Sequence, residues 1–289
     1  MYEELYTPLP DVAPYWKRLR LDPPTAPDRK TLDAIIFAHQ CEIPFENLDT
    51  TEFGLPISLT PADIYEKLLL QSRGGCCFEL NGLFNNLLTA CGYDAVPCLG
   101  RSAMGTDYVQ PIMHRGTLVR MDGQTLFCDV GFGGPMPAGA LPLVDGGVFT
   151  LRGQSFRIER QESPWWLVSY FRGGADADLE HDEPWPILVF SEIPSDPVDF
   201  VPLSHFSATH PNSVLSWRRT VNRRTPTGSV NIKNDVLTLV DGKEKFTKKV
   251  ESEDEFHGLL KEHFGIVLPS KEEAEAAAAE RAAARRKSA

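Results

Sequence analysis

The sequence predicts an α+β fold in three consecutive parts, and three observations carry that prediction. Apolar residues recur at helical spacing through the first ninety positions. Short β-prone runs punctuated by glycine and proline then fill the next hundred. Beyond these, strand-like and helix-like runs alternate before an end rich in Ala, Glu and Arg. The expected divisions are 1–92, helical; 93–200, a compact antiparallel barrel or sheet; 201–270, mixed α/β; and 271–289, a solvated helix or frayed tail to which no function is assigned.

The elements follow in order. Leu32, Ile35, Ile36 and His39 share one face of a helix that Pro44 terminates. Thr60-Pro61-Ala62-Asp63 is a capping signature with proline at the first helical position, opening a short helix through Leu70. Leu80, Leu83, Phe84, Leu87, Leu88 and Cys91 form the apolar face of a third helix, with Gly92 where a C-terminal cap belongs. Strands are expected at Ala95 to Cys98, Met113 to Met121, Gln124 to Val130, Val148 to Leu151, Ser155 to Ile158 and Trp165 to Tyr170. In the last part, strands fall at Ser229 to Ile232 and Val236 to Val240, and a helix carries Phe256, Leu259, Leu260 and Phe264.

Composition narrows the function. With 42% hydrophobic residues the chain can bury ordinary cores, and a formal net charge of -11 argues against a general nucleic-acid-binding surface. No apolar run approaches membrane-spanning length, and the acidic start lacks the apolar core of a secretory signal, so a cytoplasmic location is expected. Cys41, Cys76, Cys77, Cys91, Cys98 and Cys128 form no CxxC pair, so no zinc ribbon or thioredoxin-type motif is readable and no metal site is expected. In that compartment the thiols are expected to be reduced, most of them buried as small apolar residues.

One segment places a cysteine where it could react. Arg73-Gly74-Gly75-Cys76-Cys77-Phe78-Glu79-Leu80-Asn81 puts Cys77 at the start of the third helix, where unpaired N–H groups and the helix dipole favour an anion and lower a thiol's pKa. Taken alone, the fragment suits a buried cysteine pair opening a core helix equally well. His114 and Asp129 shift the balance. Asp122-Gly123 reads as a two-residue hairpin turn that pairs Met121 with Gln124. That register sets His114 opposite Gly131 and Asp129 opposite Gly116, diagonal neighbours on one face, about 7–8 Å apart. A one-residue slip would put them on opposite faces. A thiol, an imidazole and a carboxylate so grouped suit a nucleophile, its base and the orienter of that base.

At these residues the chain resembles the arylamine N-acetyltransferase family. His39 to Asp49 is similar to its Ile-Pro-Phe-Glu-Asn-Leu segment, and Arg73 to Asn81 to its Arg-Gly-Gly-x-Cys-Phe-Glu-x-Asn signature, which assigns the nucleophile to Cys77 rather than Cys76. His114 with Asp129-Val130-Gly131-Phe132-Gly133 is similar to its His and Asp-Val-Gly-Phe-Gly block at the same interval, and Ser207 to Pro211 forms a weaker fourth block. The resemblance implies a helical bundle, a β-barrel and a C-terminal α/β lid around a cysteine-protease-like catalytic core. It implies acetyl-CoA as donor, an aromatic amine or hydrazine as acceptor, and no metal. It further implies Phe45 and Phe132, joined by Phe206, on the acceptor pocket. Gly131 and Gly133, having no side chain, would let the pantetheine of the donor approach the backbone closely, or serve turn geometry alone. Arg218, Arg219, Arg223 and Arg224 form a basic cluster that would suit phosphates or a solvated face. Glu46, Asn47 and Arg73 read as a buried polar network supporting the loop before Cys77.

Two features depart from the family pattern: a second cysteine at position 76, and the polar run Arg115-Gly116-Thr117 where an aliphatic strand is usual. The rival readings are an amide synthase or a transferase of another acyl group on the same scaffold, and a non-catalytic small-molecule-binding protein. A papain-like protease is disfavoured because its cysteine motif and its long interval to histidine are both absent. The sequence does not define an oligomeric state.

Overall fold

A computed structural model describes residues 2–172, 178–179 and 181–288 of the chain. The helical part comprises α1 (Ala13–Leu19), α2 (Arg29–Glu42), α3 (Leu48–Phe53), α4 (Pro61–Tyr65) and α5 (Cys77–Ala90), with α4 continuing as a π-helical turn over Glu66–Leu70. The Asp28 carboxylate starts α2 by accepting the Thr31 N–H at 2.7 Å. Proline at position 44 then biases Ile43 to extended backbone, and the helix stops. The chain next forms β1 (Phe45–Glu46). Along α5, Leu80, Leu83, Phe84, Leu87 and Leu88 are all fully buried. At its end Gly92 takes the left-handed conformation that the cap requires. That burial makes α5 the axis of the first hydrophobic core, where it packs on α4 and on the sheet behind it.

The sheet behind α5 has eight antiparallel strands: β2 (Asp94–Ser102), β3 (His114–Met121), β4 (Gln124–Cys128), β5 (Leu141–Pro142), β6 (Gly147–Leu151), β7 (Gln154–Arg160), β8 (Trp165–Tyr170) and β9 (Trp185–Pro194). In the order β5-β4-β3-β2-β9-β8-β7-β6 it curls into a nearly closed barrel. Phe127 and Phe190 stack at 3.9 Å between ring centres in its core. The β3–β4 register is the one the sequence predicts: Met121 pairs with Gln124 and Thr117 with Cys128. Both turn residues, Asp122 and Gly123, have positive φ (51° and 73°), as a type I′ turn demands. Pairing stops at Cys128, two residues earlier than expected, because Asp129 leaves the ladder for side-chain partners.

The last part contains α6 (Phe200–Thr209), β10 (Thr220–Arg224), β11 (Gly228–Lys233), β12 (Val236–Asp241), β13 (Glu244–Lys249), α7 (Glu253–Phe264) and α8 (Lys271–Ser288). Its antiparallel sheet, β1-β10-β11-β12-β13, takes its edge strand from the N-terminal region. Phe45 pairs with Asn222, and Glu46 with Val221. The chain segment that precedes the helix of Cys77 is thereby tied to the C-terminal sheet. Among the described residues, no helix is long and apolar enough to cross a membrane.

Candidate active site

Cys77 is the first residue of α5, and Cys76 is its N-cap. Glu79 closes a capping box by accepting the Cys76 N–H on Oε2 at 2.9 Å. A buried ionic cluster holds the approach to this turn. Arg73 donates to Glu46 and Asp49, each at 2.8 Å, and Lys67 donates to Asp49 at 2.8 Å and Glu79 at 2.9 Å. Asn47, expected in the same network, instead spans to the C-terminal part. It donates to the carbonyls of Leu215 and Arg218 and accepts the Thr220 N–H at 2.8 Å.

The start of β3 and the end of β4 bring an imidazole and a carboxylate to this helix mouth. His114 Nε2 donates to Asp129 Oδ2 at 2.5 Å. Nδ1 is then the ring nitrogen left for the Cys77 sulfur, which lies 3.6 Å from the Met113 carbonyl oxygen. Cys77, His114 and Asp129 are 4%, 5% and 3% exposed, so their charges act in a medium that screens them weakly.

Electrostatics follow from these contacts. Hydrogen bonding from the Cys76 thiol outweighs burial and, with that from His114 and the Arg115 backbone, lowers the Cys77 pKa to about 5. Burial acts to lower the His114 pKa. The charge and hydrogen bond of Asp129, with those of Cys77, override it and raise the value to about 10. Near neutral pH the pair is therefore a thiolate facing an imidazolium. Burial raises the pKa of Cys41, Cys76, Cys91, Cys98 and Cys128, so Cys77 alone among the six thiols is poised to ionise.

Asn81 joins the parts. Its Nδ2 donates to Asp129 Oδ1 at 3.0 Å and to the Arg115 carbonyl, while its Oδ1 accepts the Val130 N–H at 3.1 Å. It lies one helical turn after Cys77 and within the signature, and that i,i+4 spacing is the signal that identifies it as a site residue.

Cys77 and His114 open onto a cavity of 1340 Å³ between the barrel and the C-terminal sheet, with Phe45, Phe132 and Gly133 also on its wall. The Phe132 ring meets the His114 imidazole edge-on at 5.4 Å. Phe206 is elsewhere: it stacks on His210 at 4.3 Å and is not among the lining residues. The two glycines serve packing. A Cβ on Gly131 would lie 2.9 Å from Asn81 Nδ2 and 3.0 Å from Cys77 Cα, so this residue lets the loop after β4 touch the helix start. Gly133, at φ 71°, sits against the Phe45 ring, where a Cβ would be 2.8 Å from Cγ.

Arg152, Arg172, Arg218, Arg224, Lys233 and Lys243 line the cavity, and among the described residues no carboxylate does. In a chain of net charge -11 this is a local reversal of sign that suits a polyanionic ligand. Of the four arginines grouped in the sequence, only Arg218 and Arg224 reach this wall. Arg219 pairs with Glu52 at 2.6 Å and with Glu253, Arg223 donates to the Cys41 carbonyl, and Arg224 is itself held by Gln40 and Gln154.

Comparison with known proteins places this arrangement. A family model described as N-acetyltransferase matches residues 28–273. An arylamine N-acetyltransferase of Mycolicibacterium smegmatis is 31% identical over 236 residues, 79% of this chain and 82% of that protein. The solved arylamine N-acetyltransferase of Salmonella typhimurium superposes with a TM-score of 0.83 at 28% identity, over 94% of this chain and 98% of that one. The Mycobacterium marinum arylamine N-acetyltransferase, solved in complex with CoA, gives 0.80 at 26% identity, over 89% and 93%.

Proposed function

The chain belongs to the arylamine N-acetyltransferase family, and on that premise we propose which of its residues perform the acetyl transfer from acetyl-CoA to an arylamine or hydrazine. Cys77 is the nucleophile, His114 the proton carrier and Asp129 its orienter. The observation that supports this assignment is the burial of Cys77 beside the hydrogen-bonded His114–Asp129 pair, at the wall of the cation-lined cavity.

The reaction runs in two halves. The Cys77 thiolate attacks the thioester carbonyl, the carbon–sulfur bond to coenzyme A breaks, and the imidazolium of His114 protonates the departing thiolate. The product is an acetyl thioester on Cys77 beside a neutral imidazole. One thioester replaces another, so the step is near thermoneutral, and catalysis rests on positioning and on stabilising the oxyanion. The Cys77 N–H, at the first turn of α5 where no intrahelical acceptor exists, is the donor available to that oxygen. In the second half the neutral aromatic amine attacks the acetyl carbon, its proton passes to His114, and Cys77 leaves as thiolate, which regenerates the ion pair.

Phe45 and Phe132 supply an apolar wall for the acceptor ring close to His114, and the lining cations suit the phosphates of the donor. Phe206, Gly131 and the paired Arg219 are not assigned substrate contacts.

Mass spectrometry after mixing with acetyl-CoA tests the assignment. One acetyl group should add about 42 Da, localised to the peptide containing Cys77, discharged by an arylamine and absent from Cys77→Ala. An adduct that persists in Cys77→Ala would place the nucleophile elsewhere. Parallel reactions with propionyl- and malonyl-CoA report the acyl preference.

A further inference from the structure

Arg115 follows His114 on β3 and is 4% exposed, yet its guanidinium has no carboxylate partner among the described residues. Nε is buried without any hydrogen-bond partner. The group lies over the face of Phe200, 4.8 Å from the ring centre, and against α5, where its Nη1 would be 3.1 Å from a Cβ on Gly82. Because side chains alternate along a strand, His114 and Arg115 leave β3 on opposite faces, and the guanidinium packs on α5 at Gly82. A buried cation without a counter-ion is costly, so its retention in this core needs an anion nearby.

The titratable groups packed around this point are few. Helix α5 contributes Cys77, with Glu79 committed to Lys67 and the Cys76 N–H. Strand β2 contributes Cys98, β3 contributes His114, and the residue after β4 is Asp129, already shared between His114, Asn81 and the Gly131 N–H. Helix α6 presents the Phe200 ring. Of these groups, the charges of Cys77 and Cys98 act on Arg115, and burial keeps Cys98 protonated while Cys77 is poised to ionise.

We propose that Arg115 is a positioning residue of the active site, a buried fixed charge that holds Cys77 as thiolate in concert with His114. The proposal rests on Cys77 being the nucleophile. The two cations differ in kind. His114 must give up its proton in each turnover, whereas Arg115 keeps its charge and favours the thiolate at every step at which Cys77 leaves or attacks. Burial lowers the Arg115 pKa to about 10, with the charges of Cys77 and Cys98 opposing, so it remains a cation throughout the working range. The backbone of the same residue completes the arrangement, since its carbonyl accepts from Asn81.

The test is the pH dependence of Cys77 alkylation by iodoacetamide, which needs no acyl transfer and so stands whether or not the acetylation assignment holds. Arg115→Met should raise the alkylation midpoint by about one unit, a tenfold slower reaction at acid pH, with the rate at alkaline pH unchanged, and Arg115→Lys should restore the midpoint. An unmoved midpoint in Arg115→Met overturns the proposal. The same substitution in a Cys77→Ala background guards against misfolding. With no thiolate to face, loss of the guanidinium should leave the protein at least as resistant to urea as Cys77→Ala alone. Unfolding in both backgrounds would show a purely structural role and likewise overturn the proposal.

Discussion

Asn81 grips Asp129 by one carboxylate oxygen while His114 takes the other, and the same Asn81 side chain binds the backbone on either side through Arg115 and Val130. Helix α5 thus carries both the nucleophile and the clamp that fixes the orienter of its base. Asn81→Leu is expected to leave Asp129 Oδ1 short of a donor and the Val130 N–H unpaired, at about 1–3 kcal/mol for each buried group. Loss of registration between imidazole and sulfur should lower kcat/KM by about a hundredfold. Steady-state kinetics and urea unfolding read the two effects separately.

Lys67 neutralises a cluster that holds three carboxylates, Glu46, Asp49 and Glu79, against only one other cation, Arg73. Lys67→Met should destabilise the protein by about 3–5 kcal/mol, the range for breaking a buried ion pair on one side. The sign with pH follows from Asp49. Although burial opposes it, Lys67 and Arg73 hold its pKa below the ordinary value. Its stabilisation is therefore present above the unfolded carboxylate pKa and lost as pH falls below it. Without Lys67 the carboxylates protonate more readily in the folded state. The gap in urea midpoint between wild type and variant should hold from pH 8 to pH 5 and narrow as pH falls below about 4, through the unfolded carboxylate pKa.

The helix mouth and the hairpin were legible because each rests on local chemistry: a cap, an apolar face, an Asp-Gly turn. The strands that carry no sequence signal lack one for physical reasons. Every residue of β13 is exposed, so it has no apolar alternation to read. β10 turns Asn222 and Arg224 toward the cavity. β9 begins and ends in Trp-Pro and Ile-Pro, which read as loop, yet it joins β2 to β8 and nearly closes the barrel. Helix α6 contains Pro202 within a mixed apolar run. Phe206 stacks on His210 and Gly131 packs on Asn81 and Cys77, neighbours set by tertiary packing that local sequence does not encode. Arg115 reads as a polar departure in a strand, and its burial against α5 depends on tertiary contacts that spacing does not encode.

Two glycine substitutions should move stability in opposite directions. Gly131→Ala drives a Cβ into Asn81 and the Cys77 backbone, and overpacking of this kind costs about 1–3 kcal/mol. Because the displaced atoms belong to the site, acetyl transfer should fall with it. Gly258 is exposed within α7, and a Cβ added there would meet nothing within 4 Å, so Gly258→Ala should stabilise by about 0.5–1 kcal/mol at unchanged activity. Thermal unfolding and initial rates of both variants check the contrast.

The ionisation of Cys77 can be followed directly as thiolate absorbance in wild type minus Cys77→Ala. The midpoint is expected at about 5, since the Cys76 thiol and His114 both stabilise the anion against burial. His114→Gln removes the imidazolium but keeps a side chain able to hydrogen-bond Asp129. A positive charge beside sulfur favours thiolate, so its loss must move the midpoint upward, toward the ordinary cysteine value of about 8.5. Cys76→Ala should move it in the same direction, because only the hydrogen bond to the sulfur is lost. Acetyl transfer separates the two variants. Cys76→Ala should recover its rate once the pH exceeds the new midpoint, whereas His114→Gln should stay slow at every pH, having no group to carry the proton of the amine.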